Sequence, residues 1–317
     1  MHPFTDIFEE SVANLGETAL IKSIRTWLGE AAPAFPEGMG DDTAVINGKR
    51  NLLTNDSLIY GRHFDDSATP EAAGAKLLKR NLSDIASMGG TPGCAVIAFF
   101  MPSNTSLEWL ERFTRSLAAC ALTYGVKIVG GDTAGTDNFL AGTLTLEGHS
   151  EHPLLRKQAQ EGEYLFVTGS LGGSILTKHL EFIPRLQEGL WLGKQLEVTG
   201  CMDITDGLAK DLPTFLEDKS ALIDLKSISV SDDARKLSEK DGISLLQHAF
   251  CDGEDYELLI SVKTDSPDAF KQRWEEQFTT KLTRIGLVAE NKDGIVLKDT
   301  HGNPLPQWSG YEHLKTT

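Results

Sequence analysis

Acidic residues recur in glycine-rich or apolar surroundings at six places along the chain. They lie in Gly40-Asp-Asp42, Thr54-Asn-Asp56, Asn81-Leu-Ser-Asp84, Gly130-Gly-Asp132, Asp203-Ile-Thr-Asp206 and Gly253-Glu-Asp255. Each carboxylate borders an apolar run, so several are expected to be partly buried, where an unpaired charge is costly. Basic residues are scarce in these segments, and a hard divalent cation that prefers oxygen ligands is the fitting partner. Each pair alone is more typical of a turn or a helix cap, but the six together predict Mg²⁺ beside a phosphorylated ligand.

Two of these segments have residues at a spacing that suits a helix. Asn81 and Asp84 are three residues apart, so on a helix both could reach one ligand, and the alternative is an exposed polar stripe. Asp203 and Asp206 flank a predicted helix start, where Thr205 and Gly207 could bring hydroxyl and backbone N–H groups to an anion. Capping alone explains one of these two aspartates more easily than both.

Other polar candidates are less specific. The segment Gly169-Ser-Leu-Gly-Gly-Ser174 follows a predicted strand, as a phosphate-binding loop would, but it has no Lys and no G-x-G-x-x-G register, so a plain turn is favoured. His63 is equally consistent with a phosphate contact and with a surface position, and Arg156 is typical of a solvated cation in a polar linker. Walker, protein-kinase, zinc-protease and serine-hydrolase motifs are absent, so phosphoryl transfer would have to use carboxylate-held metals.

Composition narrows the classes of protein and of partner. The chain has 317 residues, of which 40% are hydrophobic and 24% charged, which predicts a globular protein with room for two domains. Its net charge of −16 disfavours nucleic acid and anionic membranes as partners. The four cysteines lack the spacing of a zinc site and are expected to be reduced and mostly buried. Neither an export signal nor an apolar run of about 20 residues is present, so a cytoplasmic protein is expected. The most apolar stretch without a charge, at about 93–102, is expected to be a buried strand.

The predicted elements alternate between helices and short strands. Apolar residues at spacings of three and four predict helices at 17–30, 70–88, 106–124, 206–217 and 266–278. Apolar β-prone runs predict strands at 51–54, 94–100, 126–129, 142–147, 164–168, 221–225, 256–262 and 295–298. Thr69 before Pro70 suits the start of the second helix. The polar segment 150–163 interrupts this pattern and predicts a boundary between domains 1–150 and 151–317.

The acidic segments, in their order along the chain, resemble the motifs of the thiamine-monophosphate kinase family. The resemblance rests on Gly40-Asp-Asp-Thr-Ala-Val45, Thr54-Asn-Asp-Ser57, Gly61-Arg-His-Phe64, Asn81-Leu-Ser-Asp-Ile-Ala-Ser-Met-Gly89, Gly130-Gly-Asp-Thr133, Asp203-Ile-Thr-Asp-Gly207 and Gly253-Glu-Asp-Tyr-Glu-Leu258. It runs from about residue 16 to the last residues. The resemblance implies a mixed α/β, two-domain fold of the aminoimidazole ribonucleotide (AIR) synthetase type. Its N-terminal domain would bind metal and ATP and would dimerise through its β-sheet, and its C-terminal domain would also be α/β.

The resemblance also implies an activity and a set of site residues. The activity is ATP-dependent phosphorylation of thiamine monophosphate to thiamine diphosphate by a homodimer that uses several Mg²⁺ ions. The implied metal ligands are Asp42, Thr54, Asn55, Asp56, Asp84, Asp132, Asp203 and Asp206. The implied ATP-binding residues are Gly131, Asp132, Arg156 and Thr205. The thiamine phosphate would lie near His63, Glu254 and Tyr311. The transferred phosphoryl group would lie near Asp56, Asp84, Asp132 and Arg156. Asn55 and Thr205 stand where the family commonly has Thr and Ser.

The acceptor in this reaction is a phosphate oxygen that is already ionised near neutral pH, so no strong general base is required and direct in-line transfer is expected. The purine synthetases, selenide water dikinase and the hydrogenase-maturation carbamoyl dehydratase are the nearest rivals. The last two need a reactive cysteine near the N-terminus or at the C-terminus, whereas the first cysteine here is Cys94 and the last is Cys251. An alternative outside the enzymes is a non-catalytic sensor of ATP or metal. Such a sensor would keep the carboxylates but would lack substrate contacts such as His63 and Glu254.

Overall fold

The first half of the chain forms a five-stranded sheet. The structure, a computed structural model, describes residues 5, 7–28, 33–37, 40–46, 50–292, 294 and 296–312. The strands are β1 (Ala44–Ile46), β2 (Asn51–Ile59), β3 (Thr91–Pro102), β4 (Lys127–Thr136) and β5 (Ala141–His149). Their order is β1-β2-β5-β3-β4, with β3 parallel to β4 and the other neighbours antiparallel. We call this sheet 1.

Helices cover one face of sheet 1 and leave the other exposed. The helices of this half are α1 (Val12–Leu15), α2 (Glu17–Leu28), α3 (Pro70–Ser87) and α4 (Leu107–Thr123). On β2, Leu52 and Leu58 are buried in the core beneath α3, whereas Leu53 and Asn55 between them are exposed. Successive residues of a strand face opposite sides of its sheet, so the exposed residues define an outer face without a covering layer among the described residues.

The start of α3 follows the sequence prediction. The Thr69 hydroxyl accepts a hydrogen bond from the Ala72 N–H at 3.1 Å, and Pro70 occupies the first turn. Gly74 permits α3 to approach α4 closely, because a Cβ at this position would lie 2.1 Å from the Phe113 carbonyl oxygen. Helix α3 also contacts elements of the second half of the chain, so it lies between the two halves.

The second half forms a six-stranded sheet with order β11-β8-β10-β6-β9-β7. Its strands are β6 (Tyr164–Thr168), β7 (Val198–Ile204), β8 (Ser220–Ile223), β9 (Glu257–Val262), β10 (Leu282–Ala289) and β11 (Leu297–Asp299). Its helices are α5 (Lys178–Glu181), α6 (Leu186–Leu192), α7 (Leu208–Leu216), α8 (Asp232–Asp241), α9 (Leu245–Cys251) and α10 (Pro267–Glu275). Among the residues described, no helix is both long and apolar enough to cross a membrane.

Several strands are longer than predicted because polar residues lie inside them. Strand β2 continues through Asn55 and Asp56, and β4 continues through the glycines that precede Asp132. Strands β7 and β10 and helices α8 and α9 were not predicted. Strand β7 is buried along nearly its whole length and lacks the alternation that marks a half-exposed strand.

Two burial predictions are only partly correct. The run from 93 to 102 was expected to be a buried strand, yet the Val96 side chain on β3 is 42% exposed on the outer face of sheet 1. Cys120 and Cys201 are buried as expected, whereas Cys94 and Cys251 are only partly so, and all four thiols are free.

Candidate active site

A polar cavity of about 450 Å³ lies where the two halves meet at α3. Two open surface grooves are larger, at about 640 and 820 Å³, but this cavity has the densest set of convergent carboxylates. Its lining includes most of the predicted site residues, namely Asp42, Thr54, Asn55, Asp56, His63, Asp84, Arg156, Asp203, Thr205, Asp206, Glu254 and Tyr311. The structure therefore brings together residues that are up to 269 positions apart in the sequence, from 42 to 311.

Three carboxylates form the centre of the cavity. Asp42 precedes β1, Asp84 lies in the last turns of α3, and Asp203 lies on β7. One carboxylate oxygen from each lies within 4.8 Å of the other two, close enough for all three to bind one cation. An all-oxygen set of this kind is what Mg²⁺ prefers, so the donors fit the predicted ion.

Hydroxyl groups hold each of these carboxylates in place. Ser87 on α3 donates to Asp42 at 2.8 Å, and Ser83 on the same helix donates to Asp203. Thr54 on β2 donates to Asp84. Side chains fixed in this way need little rearrangement to receive a ligand.

Burial and mutual repulsion disfavour the ionised carboxylates. Burial raises the pKa of Asp84 well above its ordinary value, and the charges of Asp56 and Asp203 raise it further. Burial also raises the pKa of Asp203 to about 6, although the Ser83 hydrogen bond and the Arg156 charge act in the opposite direction. A bound cation would relieve this repulsion.

Arginines already neutralise part of the cluster. Arg156 forms ion pairs with Asp42 and, at 3.4 Å, with Asp41. Arg80 lies 3.3 Å from Asp56 and donates to the Ser57 carbonyl oxygen at 2.7 Å. The sequence reasoning missed Arg80, although its position four residues before Asp84 on one helix face was an available signal.

The segment around Asp206 is tied to the rest of the cavity wall by Lys210, which was also missed. The Lys210 ammonium lies 2.6 Å from the Asp206 carboxylate, 2.9 Å from that of Glu17 and 3.0 Å from the Tyr311 carbonyl oxygen. The N–H groups of Thr205 and Asp206 donate to the Asp211 carboxylate at 2.9 and 3.0 Å, so the Thr205 N–H does not face an anion in the cavity. Thr205 keeps its place in the cavity lining.

Three predicted residues differ from the rest. Asn55 belongs to the cavity lining, but its side-chain amide donates to Thr143 at 2.9 Å and to Thr145 at 2.7 Å on the outer face of sheet 1, because neighbours on a strand face opposite sides. Gly131 and Asp132 lie on the exposed edge strand β4 and are outside the lining of the cavity. Their predicted contacts with ATP and metal stay predictions.

Hydrogen bonds bear on two other interpretations. Asn81 is not part of an exposed stripe, because it is fully buried and its amide N–H donates to the Leu77 carbonyl oxygen at 3.0 Å. Its Oδ1 is buried without a hydrogen-bond partner among the described residues, so a shared ligand with Asp84 stays a prediction. In the segment 169–174, the Gly172 N–H donates to Asp255 at 2.9 Å and the Gly173 N–H to Asp252 at 2.6 Å. These N–H groups are bound to the protein's own carboxylates, which agrees with the favoured turn and not with a phosphate-binding loop.

The His63 side chain is held by a hydrogen bond from the end of β2. Its Nδ1 accepts a hydrogen bond from the Ile59 N–H at 3.0 Å, which places the ring proton on Nε2. His63 and Glu254 line the same cavity as the carboxylates, so the predicted acceptor residues and the predicted metal ligands share one site.

Comparison with known proteins gives consistent matches. Residues 40–148 match the N-terminal domain of AIR synthase related proteins. A thiamine-monophosphate kinase from Rhodopirellula baltica is 33% identical over 269 residues, which cover 81% of this chain and 84% of that protein. The solved structure of AaThiL complexed with AMPPCP and TMP superposes with a TM-score of 0.82 at 27% identity, over 97% of this chain and 100% of that one.

The rival from hydrogenase maturation shares the fold alone. Escherichia coli HypE, a hydrogenase maturation protein, superposes with a TM-score of 0.65 over 92% of this chain and 99% of its own, at only 19% identity. The similarity to the kinase from Rhodopirellula baltica is closer and extends over most of both sequences. The chain therefore belongs to the thiamine-monophosphate kinase family.

Proposed function

We propose that this protein transfers the γ-phosphoryl group of ATP to thiamine monophosphate and so forms thiamine diphosphate. The observation that carries the proposal is the convergence of Asp42, Asp84 and Asp203 in one cavity with His63 and Glu254. Family membership and the similarity to a structure complexed with AMPPCP and TMP support the two substrates.

The chain's own residues suit a reaction between two phosphates. The acceptor oxygen is already ionised, so the site needs charge neutralisation and alignment more than a base. Arg156 and Arg80 supply fixed positive charge beside the carboxylates. Transfer is then direct and in line, without a phosphorylated side chain.

Mg²⁺ held by Asp42, Asp84 and Asp203, with further ions on the other predicted ligands, would neutralise the phosphates and polarise the transferred group. Of the other predicted ligands, Thr54, Asp56 and Asp206 line the same cavity. Arg156 pairs with Asp42, and its guanidinium would turn to the phosphates of ATP when they enter the cavity.

We further propose that the protein is a cytoplasmic homodimer with domains 1–150 and 151–317. The outer face of sheet 1 supports the dimer, because Leu53 and Val96 are 37% and 42% exposed there and lie on neighbouring parts of one uncovered surface. The free thiols support a reducing compartment. The division of the strands, with sheet 1 ending at His149 and the second sheet starting at Tyr164, supports the boundary.

The test is thiamine diphosphate formation from ATP and thiamine monophosphate, with and without Mg²⁺ and with free thiamine as the control acceptor. Product that requires Mg²⁺ and the monophosphate is the expected result. Binding of ATP without any product would favour a sensor instead. A phosphorylated protein trapped from ATP alone would contradict direct transfer.

A further inference from the structure

Lys76 on α3 is a fully buried ammonium group that the reaction scheme above does not use. Its Nζ lies 2.7 Å from the His63 carbonyl oxygen, 2.9 Å from Glu254 Oε1 and 3.0 Å from His179 Nδ1. An ammonium group has three protons, so each proton has one acceptor. This pairing requires His179 Nδ1 to accept, which places the proton of its neutral ring on Nε2.

The three acceptors belong to three separate segments. His63 follows β2, His179 lies on α5, and Glu254 lies between α9 and β9. Lys76 therefore joins sheet 1 to the second half of the chain at the cavity. Two of its partners, His63 and Glu254, are the residues expected to contact the acceptor substrate.

Glu254 is held in one position from several directions. Its backbone has a φ of 52°, in the left-handed region, and the Tyr256 hydroxyl donates to its Oε1 at 3.0 Å. Although burial opposes ionisation, the Lys76 ammonium, through its charge and its hydrogen bond, and the charge of Arg80 hold the pKa of Glu254 below its ordinary value. Its side chain remains 26% exposed, so a fixed carboxylate faces the cavity.

Lys76 does not itself line the cavity, whereas His179 lines a smaller adjoining cavity of about 160 Å³ that also includes Arg62 and His63. Any effect of Lys76 on substrate must therefore act through the residues that it holds. Among the described residues, no hydrogen bond or ion pair joins Lys76 or His179 to the three central carboxylates. Their direct polar contacts lie on the acceptor side of the site.

We propose that Lys76 and His179 are positioning residues for the acceptor substrate, which fix Glu254 as an ionised hydrogen-bond acceptor and anchor the turn that carries His63. The inference rests on the proposed function and deepens it. A fixed carboxylate at Glu254 suits the thiamine moiety, whose thiazolium ring is cationic and whose aminopyrimidine ring carries an amino group that donates hydrogen bonds. The two residues then set affinity for the acceptor and leave affinity for ATP unchanged.

The first experiment compares His179→Leu with His179→Asn, whose side-chain oxygen can take the place of Nδ1 as the acceptor for Lys76. In steady-state kinetics, His179→Leu should raise KM for thiamine monophosphate about tenfold, because a buried donor of Lys76 loses its partner and Glu254 loses its fixed position. KM for ATP should stay within about twofold, and His179→Asn should recover most of the loss. Equal changes in both KM values, or equal behaviour of the two variants, would overturn the proposal.

The second experiment does not depend on turnover. Lys76→Met and the wild type are compared by hydrogen exchange at the amides of Gly61, Arg62 and His63, which are hydrogen-bonded within the turn after β2. We expect exchange in the variant to be about tenfold faster if Lys76 anchors this turn. An unchanged exchange rate would contradict the proposal that Lys76 anchors this turn. A wild type without kinase activity would refute the proposed function, and this measurement would still decide the role of Lys76.

Discussion

At the scale of single residues, the candidate metal centre depends on groups that position the carboxylates as much as on the carboxylates themselves. Asp42 and Asp203 each accept a hydrogen bond from a serine of α3, and Asp84 accepts one from Thr54. These bonds partly compensate three acidic groups that repel one another. The metal-free protein is consequently expected to be less stable than the metal-bound protein.

This expectation can be tested with Asp84→Asn. Saturating Mg²⁺ should stabilise the wild type by about 2–3 kcal/mol at a concentration near 100 times Kd, and the variant should lose most of that gain because a central ligand is removed. Without metal the variant should be at least as stable as the wild type, since the pKa of Asp84 is already raised by burial. Thermal unfolding with and without Mg²⁺ measures both effects. The exposed change Asp66→Asn is the control, and an equal Mg²⁺ response in Asp84→Asn would reject the assignment.

Asp56→Asn tests the neighbouring carboxylate. We expect kcat/KM to fall at least about 100-fold, because Asp56 belongs to the predicted metal set and borders the site of transfer. The fold should change little, since Arg80 keeps its hydrogen bond to the Ser57 carbonyl oxygen. Kinetics and thermal unfolding of the same preparation separate the two effects. Near-normal turnover would remove Asp56 from the metal set.

The sequence predicted the acidic residues of the site but not the basic residues that hold them. Asp42, Asp84 and Asp203 were recognisable because carboxylates stand out in apolar and glycine-rich segments. Lys76 and Lys210 lie in helices where a cation usually indicates a solvated face, so no local pattern marks them, and for Arg80 the spacing of four residues before Asp84 is the one local signal. Their roles depend on contacts between distant segments, which spacing along the chain does not reveal.

At the scale of elements, the longest helices were predictable, whereas several shorter helices and strands were not. The capped, amphipathic helices α3 and α4 begin and end within one residue of the predicted ranges. Strands β2 and β4 were predicted too short because their candidate site residues are poor strand formers, and only pairing with neighbours keeps these residues in the sheet. These candidate residues therefore lie where the local strand propensity is weakest.

Asp255, which accepts a hydrogen bond from the turn at 169–174, is expected to make the stability of the protein depend on pH. Burial raises the pKa of Asp255 to about 7, against an opposing effect of Lys178 and of the Gly172 N–H. Between its ordinary value of 3.8 and about 7, the folded protein keeps a proton that the unfolded chain has lost, so this group makes stability fall as pH rises through that range. Asp255→Asn should therefore stabilise the protein at about pH 8, by about 1–3 kcal/mol, and much less at about pH 5.

Thermal unfolding at the two pH values measures this difference. Asp233→Asn is the matched control, because hydrogen bonds from Lys236 and Thr177 lower the pKa of Asp233. This control should show no gain at high pH. Parallel pH dependences for Asp255→Asn and the wild type would show that Asp255 is ionised in the folded protein.

At the scale of the whole molecule, sheet 1 has one face against helices and one face without cover among the described residues. The proposed dimer would bury that outer face, which carries Val96 and Leu53 as well as the polar pair Asn55 and Thr145. The amino-acid composition did not predict that one face of sheet 1 is uncovered, and only the family resemblance suggested that a second subunit packs against it.

Val96→Arg tests the interface. A charged side chain at the centre of a buried apolar surface has no partner, so we expect the dimer to dissociate with a loss of at least about 2 kcal/mol of association free energy. Light scattering during size-exclusion chromatography measures the mass of both proteins. Leu107→Arg, at a residue that is 84% exposed on α4, is the control and should leave the mass unchanged. A wild-type monomer, or an unchanged mass for Val96→Arg, would rule out this face.

Helix α3 places Lys76, Arg80 and Asp84 four residues apart on one face, so the acceptor side and the metal side of the cavity are parts of a single rigid body. With a rise of 1.5 Å per residue, the Cα atoms of the first and last of these residues are separated by about 12 Å along the helix axis. A redesign for shorter or longer acceptors would accordingly have to change the residues around Lys76 and keep Asp84 fixed. Insertion of one residue between them would rotate one end by about 100° relative to the other and separate recognition from transfer.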